Sequence, residues 1–423
     1  MTTSNTDWFV NARFGMFVHF GPYSLAARHE WVKSREALTD EQYQPYIDHF
    51  DPDLYDPDDW ARQANAAGMK YVVLTTKHHD GFCLWDTDLT DYRVTNTPYG
   101  KDLIGQYVEA CRAAGLKVGF YYSLLDWHHP EFPVDSHHPQ RDDPEFKAAA
   151  ARRDVSAYAD FLHGQVRELL TRYGTIDYLF FDFSSAGRDG VWGGKGAADW
   201  RSDDLLAMVR ELQPGAVVND RLDIPGDFVT PEQYQPSEPL RINGDPVLWE
   251  ACQTFNGSWG YDRDNLDFKS ADLVVRMLID TVAKGGNLLM NVGPTGRGHI
   301  DPRSAAALAS VGAWMRLHAR SIHGNGPSSF IAPADCRYTQ NGDRLYLHVF
   351  AWPFGQLHLP DLAHKVEYAQ FLHDASEVRT EVLNPDQAID TIRIVGIPGA
   401  LTLHLPTQRP DVEVPVIELF LRN

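Results

Sequence analysis

Long apolar runs, basic residues and paired cysteines are all scarce in this sequence. No run of about 18 apolar residues is present, so we expect no transmembrane helix. The N-terminal segment lacks a basic region followed by an apolar one, so we expect no secretory signal and a cytoplasmic chain. The four cysteines form no CxxC pair, which disfavours a disulfide framework or a zinc ribbon. With 58 acidic against 38 basic residues, the net charge of -20 disfavours a nucleic-acid partner, because phosphates are repelled.

Two motifs are also missing. No GxGxxG follows an early predicted strand, which disfavours a dinucleotide-binding sheet. No HExxH motif or carboxylate-rich ligand set accompanies the adjacent His78 and His79, so a metal site is not expected. Present instead are many apolar and aromatic residues, 43% and 12% of the chain. That composition supports a large core and leaves aromatic rings for a sugar-binding site.

A repeated unit dominates about the first 300 residues: a helical stretch ends at a glycine, and an apolar run follows. The glycines are Gly68, Gly115, Gly174, Gly215 and Gly286. Seven apolar runs are candidate strands, at 14–19, 71–74, 118–122, 176–181, 217–218, 247–249 and 288–290. Continuous apolar runs are typical of strands buried on both faces, and alternation with helices predicts a parallel sheet. We predict an α/β fold with a (β/α)8-like, TIM-type barrel over residues 1–325, and an open doubly wound sheet is the alternative.

The pattern changes after about residue 325. Short alternating runs occur at 344–350, 400–405 and 415–421, and Asn341-Gly342 is a hairpin-turn signal. These features predict a C-terminal antiparallel β-sandwich over residues 326–423.

Polar and titratable residues stand where the apolar runs stop. They are His19, the segments 77–80 and 126–128, Asp182, the segment 219–221 and Glu250. In a barrel of parallel strands, such positions meet at one end of the sheet, where active sites are built. The long loops at 128–150, 184–200 and 223–246 each follow a strand as well.

Asp182 is the sharpest of these positions because it follows an apolar strand, where an unpaired carboxylate is costly. Catalysis is one interpretation, and capping of the next loop or pairing with an arginine is the other. Because neighbouring strand residues point to opposite faces, His78 and His79 are poorly placed to share one metal ion. Recognition of sugar hydroxyls by at least one of them is the favoured interpretation.

Several ordered segments resemble glycoside hydrolase family 29, the α-L-fucosidases. They run from about residue 8 to residue 325 and include RFGMFVHFG from residue 13, EW from 30, KHHDGF from 77, FYYS from 120, VNDR from 218, GDFVTPE from 226, SWGY from 258 and KGGNLLMNVGP from 284. KHHDGF is the most specific of these segments, and the ordered set is stronger than any one of them.

The resemblance implies a retaining exo-acting α-L-fucosidase that works by double displacement. Asp182 falls where the family keeps its nucleophile, and Glu232 matches the family's acid/base segment, with Glu30, Glu238 and Glu250 as rivals. The nucleophile forms a fucosyl-enzyme ester, while a second carboxyl about 5 to 5.5 Å away acts as acid and then as base.

The resemblance also implies a set of sugar-binding residues. They are His19, Glu30, Trp31, His78, His79, Trp127, Arg221 and Trp259. The family needs no metal and no organic cofactor, its substrates are fucosylated oligosaccharides or glycoconjugates, and its members are often homo-oligomers. No membrane partner is expected.

One departure from the family pattern is Phe183, because members usually carry a small residue after the nucleophile. With a bulky ring there, a related sugar such as α-linked galactose is an alternative substrate to fucose. It differs from fucose mainly at the exocyclic carbon. A metal-dependent barrel hydrolase and a non-catalytic carbohydrate-binding protein are further alternatives, and chelator sensitivity or absence of turnover would favour them.

Overall fold

The computed structural model describes residues 6–184, 194–383, 388–389, 392–393 and 398–422, so most of the predicted loop at 184–200 lies outside the described residues. Seven parallel strands form one sheet in the order β5-β4-β3-β2-β1-β9-β8. They are β1 (Phe14–Val18), β2 (Tyr71–Lys77), β3 (Lys117–Ser123), β4 (Tyr178–Asp182), β5 (Val217–Val218), β8 (Glu250–Thr254) and β9 (Asn287–Val292). A small hairpin, β6 (Arg241–Ile242) and β7 (Asp245–Pro246), precedes β8.

Helices alternate with these strands, as the repeated unit predicts, except between β5 and β8, where only the hairpin β6–β7 is found among the described residues. They are α1 (Asp7–Ala12), α2 (Tyr23–Ala26), α3 (Val32–Arg35), α4 (Asp40–Asp48), α5 (Pro57–Ala66), α6 (Leu103–Ala113), α7 (Pro144–Ala150), α8 (Val155–Arg172), α9 (Ala197–Trp200), α10 (Ser202–Leu212), α11 (Ala271–Ala283) and α12 (Pro302–His318), with short 3-10 turns at Val94–Asn96 and Ala319–Ser321. Among the described residues, no helix has the length and apolarity needed to cross a membrane.

The helix-ending glycines follow the prediction in three cases. Gly68, Gly115 and Gly174 have left-handed φ angles of 84°, 72° and 71°, which glycine adopts without a Cβ clash. After α11 the left-handed residue is Gly285 rather than the predicted Gly286. Gly286 serves another purpose, because a Cβ there would lie 2.4 Å from the indole of Trp249.

The curled sheet encloses an apolar cluster of its own. Alternate strand residues pack on opposite faces of the sheet: Met16 packs towards the helices, whereas Phe17 packs inside the curled sheet. The inner cluster contains Phe17, Tyr71, Tyr121, Phe180, Val217, Cys252 and Leu289, one or more from each of the seven strands. The sheet is therefore curved around its inner side chains, as in a barrel.

No eighth regular strand is found among the described residues, so the predicted (β/α)8-like barrel is observed as a seven-stranded half-barrel. The segment 228–232 crosses the gap between β5 and β8 through isolated bridges, Asn219 with Phe228, Val229 with Trp249 and Glu232 with Cys252. Pro231 lies in this segment and has no backbone N–H, which prevents a continuous ladder on both sides.

The sixth predicted strand is shifted. The apolar run 247–249 precedes the strand, and β8 begins at Glu250. Glu250 therefore starts its strand instead of ending it, and the prediction that places it at the catalytic end of the sheet is wrong. Its carboxylate accepts hydrogen bonds from Tyr71 and Tyr178, which begin β2 and β4, at the opposite end.

Antiparallel sheets follow the last helix. The first has the order β10-β11-β18-β13 and is formed by β10 (Cys336–Asn341), β11 (Arg344–Val349), β13 (Val366–Phe371) and β18 (Val416–Leu421). The second has the order β12-β17-β14 and is formed by β12 (Gln356–Leu359), β14 (Thr380–Glu381) and β17 (Leu401–His404). The third is a pair of short strands, β15 (Ala388–Ile389) and β16 (Ile392–Arg393). The predicted hairpin turn at Asn341-Gly342 is confirmed, with Asn341 paired to Arg344. Leu347 and Leu403, from the two larger sheets, belong to one apolar cluster, so these two sheets share a core.

Candidate active site

A small pocket opens at the carboxyl end of the parallel strands. Its lining brings together most of the predicted site residues with several that were not predicted: Phe17, His19, Trp31, His78, His79, Tyr121, Phe180, Asp182, Phe183, Arg221, Glu232, Cys252 and Trp259. These side chains come from the ends of several different strands, which the curled sheet carries to one place.

Asp182, the last residue of β4, is the carboxylate at the bottom of this pocket. Its Oδ1 accepts a hydrogen bond of 2.7 Å from Arg221 Nη1, and its Oδ2 accepts one of 2.8 Å from the Tyr121 hydroxyl. Burial alone would raise the pKa of Asp182, but Arg221, His79 and the two hydrogen bonds outweigh burial and hold that pKa below its ordinary value. Asp182 is therefore ionised at neutral pH, the form a nucleophile needs.

Arg221 joins the two candidate catalytic carboxylates. While Nη1 contacts Asp182, Nη2 donates a hydrogen bond of 2.7 Å to Glu232 Oε2. Its guanidinium also lies over the Phe180 ring, 5.0 Å from the centroid. The side chain of Glu232 is 39% exposed, so it faces the open side of the pocket while Asp182 lies deeper.

Three neutral histidines line the wall. His19 Nδ1 lies 2.7 Å from Asn291 Oδ1, and His79 Nδ1 lies 2.6 Å from Ser123 Oγ. His78 stacks on Tyr121 with centroids 5.6 Å apart and an interplanar angle of 11°. Burial lowers the pKa of His19 to about 3 and that of His79 to about 4, and it also lowers the pKa of His78. Neutral imidazoles can donate from one nitrogen and accept at the other, which suits alcohol groups.

Aromatic rings supply the rest of the lining. Trp31 and Phe183 lie 5.6 Å apart, and Phe183 also contacts His79 edge-on at 5.2 Å. Phe183 has a φ of 81°, a backbone region that a bulky residue rarely occupies. The chain therefore accepts backbone strain at Phe183 to place this ring in the pocket.

Two predicted sugar-binding residues lie behind the pocket lining. The carboxylate of Glu30 is buried, and its Oε2 accepts hydrogen bonds from the backbone N–H groups of Trp259 and Gly260, at 3.1 and 2.7 Å. Trp127 is buried against Trp31, with ring centroids 5.3 Å apart. The structure therefore places Glu30 and Trp127 as supports of lining residues.

The rival acid/base residues are also separated from Asp182. Glu238 is exposed in the loop that precedes β6 and does not line the pocket, and Glu250 lies at the far end of the sheet. No group of three or more metal-ligating side chains is found within the described ranges.

Sequence reasoning missed Tyr121, Phe17, Phe180 and Cys252 as pocket residues. The missing signal was strand parity. Ser123 pairs with Asp182 and Tyr121 with Phe180 across β3 and β4, so Tyr121 and Phe180 face the same side as Asp182. Counting back two residues from each polar strand end would have found both.

Three comparisons bear on this site. Residues 2–320 match the family model described as Alpha-L-fucosidase. The chain is similar to the solved structure of alpha-L-fucosidase isoenzyme 1 from Paenibacillus thiaminolyticus, with 45% identity, a TM-score of 0.92 and coverage of 99% of both chains. It is similar to the tissue alpha-L-fucosidase of Bos taurus, with 31% identity over 82% of this chain and 75% of that protein. It is also similar to a Bacteroides thetaiotaomicron alpha-L-fucosidase structure, described as a trapped covalent intermediate in complex with 2-fluoro-fucosyl fluoride using a mutant, with 27% identity, a TM-score of 0.82 and coverage of 99% and 96%.

Proposed function

The chain belongs to the α-L-fucosidase family and is a glycoside hydrolase, and from this premise we propose that it removes terminal α-L-fucose with retention of configuration. The observation that carries the proposal is the pair of carboxylates, Asp182 and Glu232, bound to the two terminal nitrogens of one arginine. A shared guanidinium holds the carboxylates close together, which favours the closer of the two spacings used by glycosidases, the one for retention.

In the first step, an Asp182 oxygen attacks the anomeric carbon of fucose. The bond from that carbon to the leaving oxygen breaks, and a proton passes from the Glu232 carboxyl group to the leaving oxygen. The products are a fucosyl ester on Asp182 and the released alcohol. Tyr121 and Arg221 hold the attacking carboxylate in place, one on each oxygen.

In the second step, ionised Glu232 removes a proton from water, and the water oxygen attacks the same carbon. The ester bond breaks, Asp182 leaves as a carboxylate, and fucose is released with its original configuration. The covalent intermediate trapped on the Bacteroides thetaiotaomicron relative supports this two-step course.

The remaining lining fits recognition of a single sugar ring. We assign the ring hydroxyls to His19, His78 and His79, whose buried neutral rings offer both donors and acceptors. Trp259 lies beside His19, with ring centroids 5.1 Å apart, and supplies an apolar surface for the methyl group. The small volume of the pocket supports an exo-acting enzyme that takes one terminal residue.

The test is hydrolysis of an aryl α-L-fucoside by wild type, Asp182→Ala and Glu232→Ala, with and without azide. We expect Asp182→Ala to lose activity by at least about a thousandfold and azide to restore turnover as β-fucosyl azide, because the anion enters where the carboxylate stood. Azide on Glu232→Ala should give the α-product, because it then attacks the enzyme ester in place of water.

A matched control is Asp343→Ala, which removes an exposed carboxylate from the turn between β10 and β11 and should retain wild-type turnover. Full activity in Asp182→Ala would show that the nucleophile is elsewhere. Absence of wild-type turnover on the fucoside would refute the proposed substrate.

A second candidate is a retaining glycosidase of the same scaffold that acts on a related sugar such as a galactoside, and Phe183 is the residue to test, because its ring bears on whether the pocket admits a CH2OH group where fucose has a methyl group. Its ring lines the pocket at a position where the resembled family carries a small residue. The aryl α-L-galactoside differs from the fucoside by one exocyclic hydroxyl. A kcat/KM for the galactoside equal to or above that for the fucoside would favour this alternative.

A further inference from the structure

A second cavity lies on the outer side of the aromatic wall of the active site. It is the larger of the two cavities. The loop 128–150 forms one side, and the segment 33–41 forms the other. Trp127 lines this cavity and packs against Trp31, which lines the first pocket, so two indole rings separate the two cavities.

The two sides of this second cavity are fixed to each other. Ser34 Oγ donates a hydrogen bond of 2.7 Å to the carbonyl of His137, and Arg141 Nη1 donates one of 3.1 Å to the carbonyl of Ser34. Gln140 Nε2 donates to the carbonyl of Ala37 at 3.0 Å. The cavity is therefore preformed, which lowers the entropic cost of binding a ligand.

Its lining combines aromatic surface with buried polar groups. Phe146 presents a half-buried ring, and its neighbour His138 is 98% buried. Trp127 Nε1 and His138 Nε2 are buried and have no hydrogen-bond partner in the part of the chain that the structure describes. A buried N–H or imidazole nitrogen without a partner is costly, so the fold holds both rings of this lining in place at an energetic cost.

The charges of the lining are of both signs. Lys33 is buried and lies 2.8 Å from Asp40 Oδ1, whose other oxygen lies 3.3 Å from His128 Nδ1. Glu41 adds a carboxylate to the same lining. An anionic ligand would meet Asp40 and Glu41, and a cation would meet Lys33. A neutral ligand with several hydroxyl groups can use both kinds of partner and still place a ring against Trp127 or Phe146.

We propose that this second cavity binds a neutral sugar residue. The inference rests on the proposed function, since a glycan substrate is one source of such a residue; a free sugar is the other. A glycan that fills both cavities crosses the rim at Trp31, with its terminal fucose in the first pocket and a distal sugar in the second.

The first arm of the test is kinetic and uses Phe146→Ala and Glu41→Ala, one from each side of the cavity. An aryl α-L-fucoside occupies only the first pocket, so both variants should retain its kcat/KM. If the distal sugar of the substrate binds, KM for 2′-fucosyllactose should rise about tenfold in the variants with kcat unchanged. Phe354→Ala removes a ring that is 91% exposed in the C-terminal unit and is the matched control.

The second arm measures lactose and N-acetyllactosamine binding by saturation-transfer NMR, which requires no turnover. Binding by wild type that both cavity variants lose, together with the raised KM, assigns the site to a distal sugar of the substrate. The same loss with unchanged KM assigns it to a separate sugar molecule. Two results overturn the proposal when KM is also unchanged in the variants. In one, neither sugar gives a saturation-transfer signal with wild type; in the other, the signals with wild type and the variants are equal. A wild type that hydrolyses no fucoside but binds these sugars refutes the proposed function alone.

Discussion

Replacement of Glu250 by glutamine tests a buried acid that the chemistry does not use. Glu250 is fully buried at the amino end of β8, with its two oxygens bound to the hydroxyls of Tyr71 and Tyr178. Burial raises its pKa from 4.5 to about 7, and the two hydrogen bonds offset only part of that rise. The carboxyl group is therefore tolerated in its neutral form and opposes folding when it ionises.

The sign and size of the effect follow from the two pKa values. The folded-state pKa is above the unfolded one, so the stabilisation is complete below about pH 4.5 and is lost as the pH rises through about 7. At 1.36 kcal/mol per pH unit, the full loss is about 3.4 kcal/mol, and about 2.5 kcal/mol of it falls between pH 5 and pH 8.5. Glutamine does not titrate, so the variant lacks this loss.

The assay is urea unfolding of wild type and Glu250→Gln across that pH range. The free energy of unfolding of wild type minus that of the variant should fall by about 2.5 kcal/mol from pH 5 to pH 8.5, because other titrating groups cancel in the difference. Glu238→Gln, the same change at an exposed glutamate, should show no such trend. A wild-type minus variant difference that does not change with pH would refute the reasoning. The variant should retain kcat/KM within about threefold, since the residue lies far from Asp182.

Three further changes probe the pocket itself. Tyr121→Phe removes one donor to Asp182, so kcat/KM should fall about tenfold and the acidic limb of its pH profile should move to higher pH, because the carboxylate loses a group that lowers its pKa. A lysine in place of Arg221 cannot bind Asp182 and Glu232 at once, so Arg221→Lys should lower kcat about 100-fold and shift the acidic limb of the pH profile further than Tyr121→Phe does. An unchanged pH profile in either variant would contradict the positioning of Asp182 by these two residues. Phe183→Gly and Phe183→Ala both open the pocket and should raise the galactoside-to-fucoside ratio of kcat/KM, while glycine should be the more stable by about 1 kcal/mol in thermal unfolding because φ is 81°; equal stability of the two would argue against backbone strain there.

Much of the parallel sheet could be predicted from local patterns. The runs at 71–74 and 118–122 became β2 and β3, and Gly68 and Gly115 end the preceding helices in the left-handed conformation. The edge of the sheet was less predictable. The run 247–249 is as apolar as the others, yet the strand begins after it, and the neighbouring segment 228–232 pairs only through isolated bridges.

The site residues likewise include some that the sequence predicted and some that it did not. Asp182 and Arg221 stand at strand ends and fit family motifs, and the structure brings them into contact. Glu30 also fits a motif, but its carboxylate is occupied by backbone N–H groups of the loop that carries Trp259. Tyr121 lies in the FYYS motif, but the sequence predicted no role for this residue. Its role follows from the hydrogen bond between its hydroxyl and Asp182.

The sequence by itself determined the family, the order of helices and parallel strands, and the identity of the carboxylate that ends β4. The order of helices and strands depends on residue spacing along the chain, which apolar runs and glycine positions record directly. The family and the carboxylate follow from the ordered motifs that the chain shares with that family. Only the tertiary structure decided that one arginine joins Asp182 to Glu232, that Tyr121 binds Asp182, and that Trp127 separates two cavities. Those contacts join residues from different loops, and their geometry depends on how the sheet curls, which no local pattern encodes.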